Sequence, residues 1–496
     1  LIATNGRFFL VKGLIIQTYI GIKMKTCNFD PFGKNLTWED SVKSLKLATK
    51  NSDDGELFFE QRQTETITLD DRRVKSANFD ASEGMGLRSV CGEITGYAHS
   101  TDLSHSALLK MVPTVQKTSQ GQIGNFANSP SEKEKNIYEP FNPIMELTFS
   151  KKVKILQEID DFSRSLDPNI KQVTATISSS TQKVFILRPD GSSSHDVRPM
   201  VRLNISILLE NNGRRENGYT GIGGRSNLLD YLKPEIWENA ASEALRIARV
   251  NLKAKPAPAG VMDLVLGPGW PGILLHEAIG HGLEADFNRK KTSAFSDLMG
   301  KRIAAPGVTV FDDGTIPDRR GSITIDDEGT PSQKTKLIDN GVLVGYMHDR
   351  QNSRLMGLKS TGNGRRQSYA HAPMPRMTNT YMQEGNENPQ NLIQDLKDGL
   401  YAVGFGGGQV DITNGKFVFS CTEAYRVKNG KIEEAVSGAT LIGDGASALK
   451  NIKAIGNDLQ LDPGIGNCGK AGQWVPVGVG QPSLYISGLT VGGVSN

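Results

Sequence analysis

The stretch Pro271–Asp286, PGILLHEAIGHGLEAD, places two histidines around a carboxylate in an apolar, helix-like run. Many hydrolases present a metal ion and a base together in this way. The spacing is unusual, because His276 and His281 are five residues apart. At 3.6 residues per turn, such side chains diverge by about 140° and cannot bind one ion from a regular helix. The motif therefore predicts either an i→i+5 bulge, most easily at Gly280, or two unrelated histidines.

The sequence around the motif predicts a strand-rich domain. Val261–Leu266 reads as a short strand, and Gly267–Pro271 as the turn into the helix, with a proline suited to the first helical position. The rest of the chain is mostly short β-type runs with glycine-rich turns and one helix near residues 391–401. We therefore expect residues 255–496 to form a strand-rich C-terminal catalytic domain that carries the metal-binding helix.

The preceding region predicts an N-terminal domain of hairpins and helices. Leu57–Leu69 and Gly86–Ala98 alternate apolar and polar residues, as half-buried antiparallel strands do. Helical patterns run through residues 150–166 and 235–254, and prolines follow the second one. The predicted fold class is therefore α+β. Its N-terminal domain covers residues 24–254, and a division into two subdomains near residues 119–149 stays open.

The first residues look like an addition to the working protein. Phe8–Ile22 is apolar, but Lys12 and Gln17 interrupt it, and it is too short and too mixed for a membrane span. Because the first methionine is Met24, we expect residues 1–23 to be an N-terminal extension from an alternative start. No other stretch approaches 18 apolar residues, so the sequence predicts a soluble, cytoplasmic protein.

Composition gives no sign of nucleic acid or membrane binding. Lys and Arg total 57 and Asp and Glu total 54, and the two signs are mixed along the chain. The cysteines are few and widely separated, which favours a reducing compartment over a disulfide framework. They are Cys27, Cys91, Cys421 and Cys468.

A catalytic zinc site needs three protein ligands and one open position, so the two histidines need a third partner. The candidates are Glu284, Asp286, His348, His371 and Cys468. Residue chemistry ranks Cys468, which has glycines close on both sides, about level with Glu284. Glu277 is the natural general base, because a carboxylate that must take a proton from the attacking water cannot also serve as a ligand.

Simpler interpretations exist for each of these features. His276 and His281 could be hydrogen-bonded residues at a helix end, and a lone cysteine is commonly an inert buried thiol. Arg365-Arg366 is typical of a solvated loop, and Gly404–Gln409 is typical of a tight turn. As a phosphate loop the glycine cluster is weak, because it lacks the Gly-Lys-Ser/Thr ending.

The sequence resembles the zinc-peptidase subunit of the TldD/PmbA family, from about Leu57 to the C terminus. Unlike the partner subunit of that family, this chain has the metal motif intact, and residues 1–23 fall outside the likeness. The most specific segments are Gly269–Arg289, Asp326–Pro331, Gly362–Arg366, Pro373–Asn379, Phe405–Asp411 and Cys468–Lys470.

The resemblance implies a site and a partner. It implies one Zn²⁺ held by His276, His281 and Cys468, with Glu277 as the base. It also implies a heterodimer with a TldE/PmbA-like subunit, or a homodimer, in which extended peptides pair with a sheet edge. Candidate substrate-channel residues are Arg365, Arg366, Gly406, Gly407 and Gly408.

The sequence thus predicts a zinc-dependent peptidase that acts on unfolded peptides as the active subunit of such a complex. Two alternatives remain open. One is a non-catalytic zinc-binding or structural subunit, and the other is a non-peptidase zinc hydrolase.

Overall fold

The protein is described by a computed structural model that covers residues 29–117, 124–130 and 136–493. The predicted extension at residues 1–23 lies outside the described residues. Of the described residues, 24% are in helices and 42% in strands, which confirms the predicted mixed class with a strand-rich C-terminal region. Within the described ranges, no helix is both long and apolar enough to cross a membrane.

The N-terminal region is built on one antiparallel sheet with the strand order β3-β2-β1-β4-β5-β6. Its strands are β1 (Asp54–Asp70), β2 (Arg73–Cys91), β3 (Ile94–Ser100), β4 (Ile170–Leu187), β5 (Ser193–Asn211) and β6 (Arg214–Gly224). Its longer helices are α1 (Trp38–Ala48), α2 (His105–Gln116), α3 (Phe149–Ser165) and α4 (Pro234–Lys253). Single helical turns occur at Pro143–Met145 and Leu228–Tyr231.

The helices cover only one face of this sheet. Leu57 and Phe59 of β1 pack with α1 and α2, whereas Ile67 packs with α3 and α4 at the other end of the strand. Neighbouring residues of a strand point to opposite faces, so the even-numbered residues of β1 point away from the helices. Phe58 accordingly packs against Ile325 of the C-terminal region. The second face of the sheet therefore meets the C-terminal domain.

Many short strands make up the C-terminal region. They are β7 (Lys255–Pro256), β8 (Gly260–Leu266), β9 (Val310–Asp313), β10 (Lys334–Asp339), β11 (Val342–Leu343), β12 (Gly364–Arg365), β13 (Met374–Pro375), β14 (Asn379–Met382), β15 (Gly399–Asp411), β16 (Lys416–Lys428), β17 (Lys431–Ser437), β18 (Thr440–Asp444), β19 (Ile452–Ile455), β20 (Gln460–Leu461), β21 (Asn467–Lys470), β22 (Gln473–Pro476), β23 (Gly478–Gln481) and β24 (Leu484–Gly492). Its helices outside the metal motif are Ala285–Arg289, Arg350–Leu355, Pro389–Leu396 and Gly445–Lys450.

Five of these strands close into a ring around which the domain is organised. The order β15-β8-β24-β18-β16 is closed by pairing between β15 and β16. A second sheet has the order β11-β10-β9-β14-β23-β20, and β12–β13 and β21–β22 are separate hairpins. Leu274 and Ile279 of the metal motif are buried in the same core as Leu264 and Phe419 of the ring. The core thus fixes the motif helix against the strands.

Buried ion pairs join the two regions. Arg88 of β2 is 1% exposed and lies between Glu56 of β1 and Glu328 of the C-terminal domain. Arg198 of β5 pairs with Asp327 at 2.6 Å. The segment that carries Asp327 and Glu328 is one of those that support the family resemblance, and its place in the fold is the contact between domains. Such charges must be paired, because an unpaired buried charge is strongly destabilising.

The glycine cluster Gly404–Gln409 lies within strand β15. The interpretation of these residues as a tight turn is therefore wrong. The strand is irregular here, with shifts of register against β16 at Gly404, Phe405 and Gly408. A Cβ atom on Gly408 would lie 2.0 Å from the ring of Phe419. The close approach of that ring, rather than a turn, explains this glycine.

Candidate metal centre

The motif helix changes its winding at the two histidines. A short α-helical turn, Ile273–Leu275, leads into a π-helix at His276–Gly280. The N–H group of His281 donates to the carbonyl oxygen of His276, which is the i→i+5 hydrogen bond of a bulge. The predicted widening between the two histidines is therefore confirmed.

Close packing explains why small residues occur along this turn. A Cβ atom on Gly280 would lie 2.2 Å from Sδ of Met377. On the neighbouring helix, a Cβ atom on Gly445 would lie 2.0 Å from the carbonyl oxygen of Ala278. The widened helix therefore fits against its neighbours only because glycines leave space for it.

Three possible metal ligands converge at this turn. The ring centroids of His276 and His281 are 5.1 Å apart, and the ring planes are nearly perpendicular, at 84°. Sγ of Cys468 lies 3.4 Å from Nε2 of His281. One donor atom from each of the three residues lies within 4.8 Å of the other two, and all three residues are buried. The hairpin β21–β22 brings the cysteine to the histidines from far along the chain.

The donor set fits zinc. Imidazole nitrogen and thiolate sulfur are ligands that zinc prefers, and three of them leave the open position of a catalytic site. Nδ1 of His276 is buried without a hydrogen-bond partner among the described residues, which is unfavourable unless a ligand binds it. A nitrogen and a sulfur on one tetrahedral zinc lie about 3.5 Å apart, close to the separation between His281 and Cys468.

A buried carboxylate orients the second histidine. Oε2 of Glu284 lies 3.1 Å from Nδ1 of His281 and 3.0 Å from Nζ of Lys470. Lys470 also pairs with Asp286 at 2.9 Å. Both acidic candidates for the third ligand are therefore paired with Lys470. Cys468 is the candidate that lies with the two histidines. An acid on the far nitrogen of a metal-binding imidazole fixes its tautomer and orientation.

Sequence reasoning did not identify Lys470 as part of this arrangement. A signal was available, because Lys470 and Cys468 are two residues apart on β21 and therefore share a face of the strand. Its partner Glu284 could not be assigned from spacing alone, since the choice depends on a contact between distant segments.

The electrostatics of the group favour the form of cysteine that binds metal. Burial opposes ionisation of Cys468, but His281 and His276 hold its thiol pKa well below the usual value. Burial likewise opposes charge on His281, yet Glu284 and Cys468 raise its pKa well above the usual value. Against burial, Lys470 and His281 lower the pKa of Glu284 to about 2. The thiolate, not the thiol, is the metal ligand.

Glu277 lies beside the donor group. Its Oε2 is 3.9 Å from Nε2 of His281, and its side chain is 18% exposed, in contrast to the buried donor residues. Burial raises the pKa of Glu277, and the two imidazoles oppose that shift. A carboxylate near the donors, with some access to solvent and a raised pKa, is suited to accept and return a proton.

The other histidine candidates lie outside the donor group. Burial lowers the pKa of His348 to about 4, and its Nδ1 has no hydrogen-bond partner among the described residues. Nδ1 of His371 lies 2.9 Å from the hydroxyl oxygen of Ser368. Neither histidine joins His276 and His281.

The candidate substrate residues fall into two separate places. Arg366 pairs with Glu56 at 2.7 Å and lies 4.2 Å over the ring of Phe58, and therefore bridges the domains. Arg365 is buried and donates to the carbonyl oxygen of Met377. Both arginines line a cleft between the domains.

The glycine candidates belong to a different cavity. Gly406 and Gly407 line a space of about 860 Å³ together with Trp270 and Phe405. Nε1 of Trp270 donates to the carbonyl oxygen of Phe405 at 2.8 Å and so ties the start of the motif to β15. A substrate role for the arginines and glycines, Gly408 included, stays a prediction.

Comparison with known proteins identifies the family. Models of the PmbA/TldA metallopeptidases match domain 1 at residues 55–112, the central domain at 142–252 and the C-terminal domain at 259–493. A metalloprotease TldD homologue of Haemophilus influenzae is 48% identical over 90% of this chain and 95% of its own length. A zinc metalloprotease TldD homologue of Saccharolobus solfataricus is 36% identical over 49% of this chain and 54% of its own length.

A solved structure shares the whole fold. TldE from Thermococcus kodakarensis superimposes with a TM-score of 0.73, at 15% sequence identity, over 91% of this chain and 99% of that protein. With three matching family models and a close relative along nearly all its length, this chain belongs to the PmbA/TldA metallopeptidase family, the family that its sequence resembles.

Proposed function

We propose that this chain is a zinc-dependent peptidase that hydrolyses unfolded or extended peptides. The observation that carries the proposal is the convergence of His276, His281 and Cys468, with Glu277 beside them. The relatives named metalloprotease and zinc metalloprotease support the same activity.

In this proposal each residue has a distinct task. His276, His281 and Cys468 hold the zinc ion, and Glu284 keeps Nε2 of His281 directed at it. Bound zinc supplies Lewis acidity, which polarises a peptide carbonyl and lowers the pKa of water to about 7. Glu277 takes a proton from the attacking water and returns it to the leaving amine nitrogen. Its raised pKa suits both transfers.

We further propose that the chain is the active subunit of a TldD/TldE-type complex in the cytoplasm. Two observations support this role. The metal motif is intact in this chain, and TldE from Thermococcus kodakarensis has the same fold. A partner with that fold, or a second copy of this chain, would complete an enclosed site that admits only extended peptides.

Metal content and hydrolysis together test the proposal. The purified chain, alone and with a TldE-like partner, is assayed on a casein-like unfolded substrate with and without chelator. Glu277→Gln is expected to keep its zinc and lose hydrolysis, whereas Cys468→Ala is expected to lose the zinc itself. Cys91→Ala changes another buried cysteine, in the N-terminal region, and should keep both properties.

Three outcomes would contradict parts of the proposal. Hydrolysis by Glu277→Gln at the wild-type rate would exclude this residue as the base. Equal zinc content in Cys468→Ala and wild type would exclude the cysteine as a ligand. A zinc-loaded wild-type chain that cleaves nothing, alone or with its partner, would favour a non-catalytic subunit.

A further inference from the structure

A cleft of about 460 Å³ lies between the open face of the N-terminal sheet and the C-terminal domain. Even-numbered residues of β1, β4 and β5 form its floor, because these positions point away from the helices. The centre of the floor carries hydroxyl groups, with Thr64 opposite Ser180 and Thr66 opposite Ser178. The opposite wall includes Arg365 and the hairpin β21–β22.

The cleft is strongly positive. Seven arginines line it, together with a single carboxylate, that of Asp327. Arg62, Arg198 and Arg366 form ion pairs with Glu60, Asp327 and Glu56, respectively. The other arginines form no ion pair with any carboxylate of the described residues; they are Arg202, Arg225, Arg320 and Arg365.

Three of these unpaired arginines are buried. Arg225 and Arg365 are each 3% exposed, and Arg320 is 7% exposed. Their hydrogen bonds go to neutral oxygens, for example from Arg225 to the carbonyl of Pro199 and from Arg320 to the carbonyl of Gly466. Nε of Arg225 has no partner among the described residues. Buried cations without a counter-ion are unfavourable, so the fold keeps a cluster that an anion would stabilise.

The titration behaviour of the cluster agrees with this geometry. Burial lowers the pKa of Arg365 to about 9, with the nearby Arg225 assisting and Asp327 opposing the shift. Burial also lowers the pKa of Arg320 to about 10, assisted by Arg202 and Arg225. The arginines therefore repel one another, and a negative group between them would relieve that repulsion.

We propose that this cleft binds a carboxylate group of the peptide substrate, either an acidic side chain or the C-terminal carboxylate. The proposal rests on the peptidase function proposed above. Guanidinium groups bind carboxylates through paired hydrogen bonds, and the hydroxyl floor adds further donors. At about 30 Å³ per water molecule, the cleft has room for a short peptide segment rather than a single ion.

The position of the cleft connects it to the metal centre. Asn467 and Cys468 are consecutive residues of β21, so their side chains point to opposite sides of the strand. Cys468 faces the histidines, whereas Asn467 lines the cleft and accepts a hydrogen bond from Arg320 at 2.8 Å. A carboxylate held by the arginines thus lies across one strand from the proposed catalytic metal.

Peptide binding without cleavage tests this inference. The zinc-loaded full chain with Glu277→Gln is titrated with a labelled unfolded peptide that carries four glutamates, and with the same peptide carrying four glutamines. We expect at least tenfold tighter binding of the glutamate peptide, falling as salt rises. Forms with a free and an amidated C terminus separate the two sources of the carboxylate, and a preference seen through either one supports the proposal.

Two substitutions separate the cleft from general surface charge. Arg202 is half-buried and lines the cleft, so Arg202→Gln should reduce the glutamate preference about threefold or more, and Arg202→Lys should retain most of it. Arg215→Gln removes an exposed charge outside the cleft and should leave the preference unchanged. If Arg202→Gln is less stable than the Glu277→Gln chain into which it is introduced, its binding data are set aside. The comparison of the glutamate and glutamine peptides on Glu277→Gln then tests the proposal by itself.

The proposal would be overturned if the glutamate and glutamine peptides bind equally and the forms with a free and an amidated C terminus also bind equally. Equal losses of the carboxylate preference in Arg202→Gln and Arg215→Gln would overturn it as well. Binding of inorganic phosphate without a preference for glutamate or for a free C terminus would also overturn it, in favour of a phosphate site. Binding and cleavage are measured separately, so the two proposals can fail separately. A glutamate preference in Glu277→Gln, with no hydrolysis by the zinc-loaded wild-type chain alone or with its partner, would contradict the peptidase and leave the carboxylate site intact.

Discussion

Nδ1 of His281 lies 3.1 Å from Oε2 of Glu284, so a buried acid orients the second histidine of the motif. Lys470 keeps that acid ionised, and Lys470 follows Cys468 on the same strand. Two of the proposed ligands and their support therefore form one connected unit, so a change to the acid should alter binding of the proposed metal.

Glu284→Ala should weaken zinc binding by about 10- to 100-fold, the usual range for losing a group that orients a metal ligand. Glu284→Gln should weaken it less, because the amide oxygen can still accept from Nδ1 of His281. Competition with a chelator of known affinity measures both values. Glu158→Ala, at an exposed position of α3, is the control. Unchanged zinc affinity in Glu284→Ala would disprove the orienting role.

Gly280→Ala should destabilise the protein by about 1–3 kcal/mol, the usual penalty for overpacking a core. The reason is the contact with Met377, whose Sδ would lie 2.2 Å from the added Cβ. In a double-mutant cycle with Met377→Ala, the combined loss should be smaller than the sum of the single losses. Chemical denaturation supplies the free energies of unfolding.

Gly407→Ala is a matched control for that cycle, because a Cβ atom there would meet nothing within 4 Å. Equal stability of Gly280→Ala and Gly407→Ala would show that Met377 moves aside freely. Packing against Met377 would then not explain why a glycine occupies position 280.

Much of the fold could be predicted from local pattern. The helix predicted at residues 235–254 is α4 at Pro234–Lys253, and the strand predicted at Leu57–Leu69 lies inside β1. The strand predicted at Gly86–Ala98 is instead the end of β2 and most of β3, joined by a turn at Gly92. The first part of β2 is exposed, so it lacks the apolar alternation that reveals a strand.

The candidate site could be predicted only in part. The five-residue spacing of the histidines, which is local geometry, allowed either the bulge or two unrelated histidines, and the structure has the bulge. The choice between Cys468 and Glu284 was not local, because it depends on Lys470 holding Glu284 away from the ligand position. The cleft could not be predicted from the sequence either. Alternation predicts which residues of β1 share a face, but it does not predict that Arg365 lines the same cleft.

Arg88→Met should lower the free energy of unfolding by about 3–5 kcal/mol, as expected when one partner of a buried ion pair is removed. Glu56 and Glu328 would remain buried, and Glu328 would lose its link to the N-terminal sheet. Urea denaturation measures the loss. Arg215→Gln, which breaks an exposed pair, should leave the midpoint unchanged. Equal denaturation midpoints for the two variants would mean that Arg88 does not stabilise the contact between the domains.

Asp349 lies in the same contact between domains, close to Glu328 and Arg88. Burial, reinforced by the nearby Glu328, raises its pKa from 3.8 to about 7. Between these pH values the folded chain binds a proton that the unfolded chain has released. The stabilising contribution of this group is therefore complete below pH 3.8 and is lost as pH rises towards about 7.

Asp349→Asn should remove this dependence without removing the helix cap. The backbone N–H of Asn352 donates to Oδ1 of Asp349 at 2.8 Å, and an asparagine oxygen can accept the same bond. Relative to wild type, the variant should gain up to about 1.4 kcal/mol for each pH unit crossed in that interval. Urea denaturation at a series of pH values measures the difference, with Asp161→Asn at an exposed position as the control. Parallel stability curves for Asp349→Asn and wild type would show that folding does not raise the pKa of this carboxyl.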